Sequence, residues 1–332
     1  MTPESLEQIE IIYSDALALP PQERPAFLDR ACGNDRDLRA EIESLLGCEQ
    51  QAGTCLDKPA IHFVAESLAA EGGGVFMGRM LGRYQLLSLV GRGGMGEVYC
   101  AVDTHLNRLV AVKILPAYLA EDPARLQRFT VEARVIAALN HPRICVLHDV
   151  GHDEGTRYLV FEYLIGQMLS DRLSGGTLPV PEALKYAIEV AEALEYAHEQ
   201  GVVHHDLKPQ NIMLTRTGVK LLDFGIAELR YPDADASAPE SQLRSGTLPY
   251  MAPEQIEGRQ TDARTDIFAF GVMTCEMITG RPVFPGTGAQ AETVMPPALD
   301  VVIRGCLPRD PSERWQSMSD VLLILKHVAA GI

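Results

Sequence analysis

Apolar positions in the first fifty residues recur at helical spacing. Leu6, Ile9, Tyr13 and Leu17 form one stripe behind Pro3, and Pro20 and Pro21 end it. Phe27, Leu28 and Ala31 form a second stripe that stops at Gly33; Leu38, Ile42, Leu45 and Leu46 form a third, with Asn34 or Asp35 as its cap. Each stripe is a single face, so residues 1–50 are expected to form a small all-α region, packed on itself or on the larger part of the chain. Residues 51–83 read as a linker. A short helix near Ile61 to Ala70 leads into Gly72, Gly73 and Gly74, where backbone freedom predicts a hinge.

From Tyr84 the period changes. Strand-like runs appear (YQLLSLV, VYCAV, LVAVKIL and YLVFEYL), interrupted by one long helical pattern from Pro123 to Leu139. After Leu178 the pattern is mostly helical. Strands with one helix and then helices predict an α+β protein with a β-rich small lobe and a helical large lobe. The stretch from Tyr231 to Ser245, rich in Asp, Ala, Ser and Pro, reads as an exposed loop.

Composition narrows the function classes. The 332 residues are 46% hydrophobic, enough for a sizeable core, and the net charge is −16. Such acidity disfavours nucleic acid as a partner, because phosphates would be repelled over most of the surface. Seven cysteines without a C-x-x-C pair argue against a disulfide framework or zinc site and for a reducing compartment. No apolar run reaches the roughly 18 residues of a membrane span. The acidic start, MTPESLEQIE, is unlike a signal peptide, so a cytoplasmic location is expected.

The chemistry begins at Gly91-Arg-Gly93-Gly-Met-Gly96-Glu-Val98. A dinucleotide fold would place a helix after such glycines. Here a strand pattern comes next, so the loop reads as a flap whose backbone N–H groups approach phosphates, or as an ordinary glycine hairpin. Val110-Ala111-Val112-Lys113 then sets a lysine inside an apolar strand. Buried there it needs an anionic partner, and Glu132 on the next helical pattern can supply one; a lysine snorkelling to the surface is the plainer reading. His204-His205-Asp206-Leu207-Lys208-Pro209-Gln210-Asn211 comes after it, then Asp223-Phe224-Gly225 and Ala252-Pro253-Glu254.

In their order and spacing these five motifs resemble the eukaryotic-type protein kinase superfamily, most nearly its bacterial serine/threonine (Hanks-type) branch. The resemblance covers residues 84–328 and implies the bilobal kinase fold, with an N-lobe at 84–164 and a C-lobe at 165–328. It also implies ATP with Mg²⁺, or Mn²⁺ in its place, and protein substrates carrying serine or threonine, the chain itself among them by autophosphorylation or as a dimer.

By the same resemblance Asp206 accepts or orients the substrate hydroxyl proton, and Lys208 reaches the γ-phosphate. Lys113 holds the α- and β-phosphates and pairs with Glu132, while Asn211 and Asp223 bind the metal. Gly91, Gly93 and Gly96 cover the phosphates. Val98 and Ala111 lie above the adenine and Met213 below it. Glu162 to Leu164 form the hinge, behind Phe161 as gatekeeper. Glu254 with Arg314, and Asp266 with the catalytic-loop backbone, are implied as fold-holding pairs.

Two departures stand out. Position 205 is histidine where the family has an arginine that clamps an activation-loop phosphate, so weaker control by loop phosphorylation is expected. The segment between Pro285 and Leu299 is shorter than the family's, which bears on substrate docking. Together they keep open a pseudokinase that serves as a nucleotide-binding scaffold, against which stand all six residues Lys113, Glu132, Asp206, Lys208, Asn211 and Asp223. Ala252-Pro253-Glu254 and the long loop before it disfavour a small-molecule kinase. Ser245 and the neighbourhood of Ser237 are the expected phosphorylation sites. Thr247 is expected to contact the catalytic aspartate and lysine. Residues 1–80 hold 14 acidic and 6 basic residues, so they contribute −8 of the net charge; a docking or regulatory module and a plain packing extension both fit them.

Overall fold

The apolar runs after Met80 fold into strands, as their period demands. The computed structural model describes residues 24–32, 38–39, 75–93, 96–115, 131, 133–224, 248–282 and 295–331. Strands β1 (Met80–Leu81), β2 (Tyr84–Gly93), β3 (Gly96–Asp103), β4 (Arg108–Ile114), β5 (Leu147–Asp153) and β6 (Thr156–Glu162) form an antiparallel sheet in the order β1-β2-β3-β4-β6-β5. The sheet thus begins ahead of Tyr84, where the sequence placed the end of a linker. Two residues are too few to show alternation, and β1 exists because it pairs with β2.

Alternation sorts the sheet into two faces. Tyr84, Leu86, Tyr99, Ala101, Val110 and Val112 fill one. On the other, Ile136, Leu147, Leu159 and Phe161 belong to a core that runs without a break into the helical lobe. A second sheet, β7 (Gly166–Met168), β8 (Ile212–Thr215) and β9 (Gly218–Leu221), lies at the start of that lobe.

The lobe is built from α2 (Leu169–Ser174), α3 (Val180–Glu199), α4 (Pro253–Ile256), α5 (Ala263–Thr279), α6 (Pro297–Cys306) and α7 (Met318–Ala330). In α3, Ala187, Val190, Ala191, Leu194 and Ala197 form a buried stripe, the i, i+3, i+4 spacing of a helix with one apolar face. Helix α5 is buried from Thr265 to Cys275, as befits a central helix. Its start is capped by Asp262, which accepts from the Arg264 N–H at 2.8 Å. A side chain at Gly271 would bring a Cβ within 2.5 Å of the Cys306 Cβ, so glycine sets how closely α5 and α6 cross.

The chain divides into two units, residues 1–64 and 65–332. In the first, helix α1 (Arg24–Ala31) coincides with the second expected stripe, with Leu28 and Cys32 buried. Residues 38–39 are helical, as the third stripe requires. Of the expected helix at 123–139, residues 131 and 133–137 are helical. The first helix, the glycine hinge, Glu132, Gly225, the loop at 231–245 with its serines, Thr247 and the short segment at 283–294 lie outside the described residues. Among the described residues no helix is long and apolar enough to cross a membrane.

Candidate active site

The glycine hairpin is built by β2 and β3. Arg92 faces Glu97 and Gly93 faces Gly96, which takes a φ of +112° that a side chain would strain. Arg92 pairs with Glu97 at 2.6 Å, and the Tyr99 hydroxyl donates to the same carboxylate at 2.5 Å. The Tyr99 bond and Arg92 hold the Glu97 carboxyl below its usual range despite some burial. Opposite residues of an antiparallel pair share a face, as do positions two apart. Val98 lies opposite Lys113, and Ala111 precedes Lys113 by two, so all three face the same side of the sheet.

Lys113 is 3% exposed, and its Nζ lies 2.7 Å from Asp223 Oδ2. Strand and post-strand elements from the two lobes therefore meet on one ion pair. Asp223 sits just past β9 with a φ of +57° and keeps about a quarter of its side chain exposed, 26%. Burial alone would raise its carboxyl. Lys113, with His204 and Lys208 beyond it, reverses that and holds it below the ordinary aspartate value.

The loop between α3 and β8 carries the remaining charges. Lys208 Nζ lies 2.9 Å from both carboxylate oxygens of Asp206. Asn211 Nδ2 donates to the Asp206 carbonyl at 2.7 Å and to its Oδ2 at 3.2 Å. All three side chains are buried. With its nitrogen so engaged, the Asn211 amide is left its carbonyl oxygen as the group available to a cation.

The loop is held from below by Asp266 on α5. Its carboxylate accepts from the His204 N–H at 2.7 Å and the His205 N–H at 2.8 Å, and lies 2.8 Å from His198 Nε2 at the end of α3. Burial pushes the Asp266 carboxyl up, but the His198 bond and the neighbouring histidines bring it below its usual value. His204 Nε2 lies 3.0 Å from the Leu222 carbonyl, and the His204 ring lies 4.5 Å from that of Phe224. The sequence expected the role of Asp266. It missed His198, whose signal was a polar residue beside the apolar stripe of α3. It also missed Gln255, whose Nε2 donates to the His205 carbonyl at 2.8 Å.

The hinge expected at Glu162 to Leu164 begins at the end of β6. The Glu162 side chain turns away to pair with Lys220 at 2.6 Å and to accept from the Val146 N–H at 2.9 Å. Met213, on β8, is half-buried and reached through the pairing of β8 with β7 just beyond the hinge. The structure thus brings together Lys113, Asp206, Lys208, Asn211 and Asp223, and it sets Val98 and Ala111 on the face Lys113 occupies. Gly91, Gly93 and Gly96 lie at the end of the same hairpin.

Residues 84–327 match the family described as the protein kinase domain. "Probable serine/threonine-protein kinase SCO3848" of Streptomyces coelicolor is 41% identical over 275 residues, 76% of this chain and 41% of that protein. Serine/threonine-protein kinase PknB of Mycobacterium leprae is 36% identical over 75% of this chain and 43% of its own length. The chain spans about two fifths of the length of these curated relatives. A crystal structure of the Mycobacterium tuberculosis PknI kinase domain superposes with a TM-score of 0.61 at 29% identity, covering 77% of this chain and 98% of that one.

Proposed function

The chain belongs to the protein kinase domain family, and from that premise we propose that it transfers the γ-phosphoryl group of ATP to serine or threonine hydroxyls of proteins. The observation that carries this is the meeting of Lys113, Asp206, Lys208, Asn211 and Asp223, drawn from three separate stretches of sequence. In the reaction the serine or threonine oxygen forms a bond to the γ-phosphorus, the bond to the bridging oxygen breaks, and ADP leaves. The hydroxyl proton passes to the Asp206 carboxylate, or is oriented by it, and goes on to solvent. Lys208, already on Asp206, neutralises charge on the transferring group. Lys113 presents an ammonium to the α- and β-phosphates, and Glu132 is proposed as its second anchor.

The donor set fits magnesium. One partly exposed carboxylate at Asp223 and the amide oxygen of Asn211 are what an ion uses that otherwise keeps waters and substrate phosphates. Such an ion would neutralise charge on the phosphates. Gly91, Gly93, Gly96, Val98, Ala111, Met213 and the backbone of Glu162 to Leu164 form the proposed nucleotide site. Gathering Lys113, Asp206, Lys208 and Asp223 at one place favours catalysis over a nucleotide-binding scaffold. The reading extends to bacterial signalling in the cytoplasm, with the chain itself as the first protein substrate to try. The test is phospho-amino-acid analysis after incubation with Mg²⁺ and γ-labelled ATP. Label on serine and threonine is the expected result, and label confined to tyrosine contradicts the role given to Lys208.

A further inference from the structure

The peptide unit between His205 and Asp206 is planar, so its carbonyl and its N–H point in opposite directions and turn together. Both ends are held. The Asp206 N–H donates to the His204 carbonyl at 2.9 Å, and the His205 carbonyl accepts from Gln255 Nε2 at 2.8 Å. This unit carries the backbone of Asp206 directly. The residue before it, His205, has a φ of +63°, a conformation a side-chain-bearing residue holds only when its surroundings insist. Asp266 fixes the N–H groups of 204 and 205 but does not reach the carbonyl of 205.

Gln255 is itself anchored. Its Oε1 accepts from the Ala252 N–H at 3.0 Å, and α4 begins immediately after Ala252. The preceding residue, Glu254, is locked to Arg314 and Thr265. The amide has one workable orientation: turned over, it would set oxygen against the His205 carbonyl and nitrogen against the Ala252 N–H. A mere helix cap requires the bond to Ala252 alone. The second bond, across fifty residues of sequence, does something else.

We propose that Gln255 is a positioning residue for catalysis, a latch that fixes the peptide plane in front of Asp206 by tying it to the Ala252-Pro253-Glu254 anchor. It acts through Asp206 without touching substrate, and it rests on the role proposed for Asp206 above. The latch is neutral and built into the chain, so it holds the catalytic loop without a phosphate.

Two substitutions separate latch from cap. Gln255→Glu can still accept from Ala252 but has no donor for His205. Gln255→Met has neither. Both should lower kcat about tenfold, equivalent to about 1.4 kcal/mol, with KM for ATP unchanged because the bonds of Gln255 go to His205 and Ala252 and not to the residues of the proposed nucleotide site. In the nucleotide-free protein both should also speed amide hydrogen exchange at Asp206 about tenfold. If Gln255→Met loses activity and Gln255→Glu does not, the side chain is only a cap and the proposal falls. Unchanged exchange at Asp206 in both variants overturns it as well, whatever the activity. Faster exchange in both, with a wild-type protein that transfers no phosphate, leaves the latch standing and removes the kinase reading instead.

Discussion

Asp266 is 1% exposed and satisfies its charge with two backbone N–H groups and His198 rather than with a lysine or arginine. Charge-assisted bonds of this kind are shorter and stronger than neutral ones, which is why a buried carboxylate can hold a strained loop. Asp223, Asp266 and Glu254 all have carboxyls held below their usual values in the folded protein. A depressed folded value stabilises above the unfolded value, about 3.9 for aspartate and 4.3 for glutamate, and that stability is lost as pH falls through the folded value. Urea midpoints should therefore drop steeply below about pH 4 and stay level with respect to these groups between pH 5 and 7. A midpoint that rises on acidification would contradict the assignment.

His205 belongs to the same scale. Its Nε2 lies 3.4 Å from the Thr261 hydroxyl and its carbonyl is held by Gln255, so two bonds that need no phosphate add to the hold of Asp266 on the loop. Phosphatase treatment should leave most of the wild-type activity, whereas His205→Arg should make activity depend on loop phosphate. Equal dependence in the two proteins sinks the idea.

At the scale of elements, α4, α5 and the turn before α7 are joined by one buried pair. Arg314 meets Glu254 through two parallel bonds of 2.7 Å and caps the Arg264, Pro308 and Arg309 carbonyls. Its guanidinium also lies 4.9 Å from the centre of the Phe268 ring. Burial would raise the Glu254 carboxyl, and Arg314 and Thr265 reverse it. Removing one partner leaves an uncompensated buried charge, so Arg314→Ala should cost about 3–5 kcal/mol in denaturant unfolding. A loss below about 1 kcal/mol would mean that the pair is screened as a surface pair is.

These elements also mark what the sequence could reveal. Glu254 with Arg314, and Asp266 with the catalytic loop, were legible because each sits in a motif of fixed spacing. Lys113 was legible because a cation inside V-A-V-K violates the apolar pattern around it. Gln255 and His198 were not, since each acts on a residue some fifty or more positions away; no local pattern announces Gln255, and a polar residue beside an apolar stripe is too common to single out His198. The strand at 80–81 was hidden for a different reason: it is created by pairing and not by alternation.

At the scale of the molecule, one continuous core passes from Ile136 and Leu159 under the sheet to Leu325 and Val328 in α7. It sets the lysine of one lobe against the aspartate just past the other lobe's β9 at 2.7 Å. A single hydrophobic body therefore positions charges that lie more than a hundred residues apart. The most direct test of this account is transfer of labelled γ-phosphate from Mg-ATP to the protein itself and to a basic protein substrate, with Asp206→Asn run beside the wild type. Label on serine and threonine is expected in the wild type and a loss of about 10²-fold or more in the variant, with ATP still bound by both. Equal transfer by the two proteins, or ATP binding without transfer in the wild type, would contradict it.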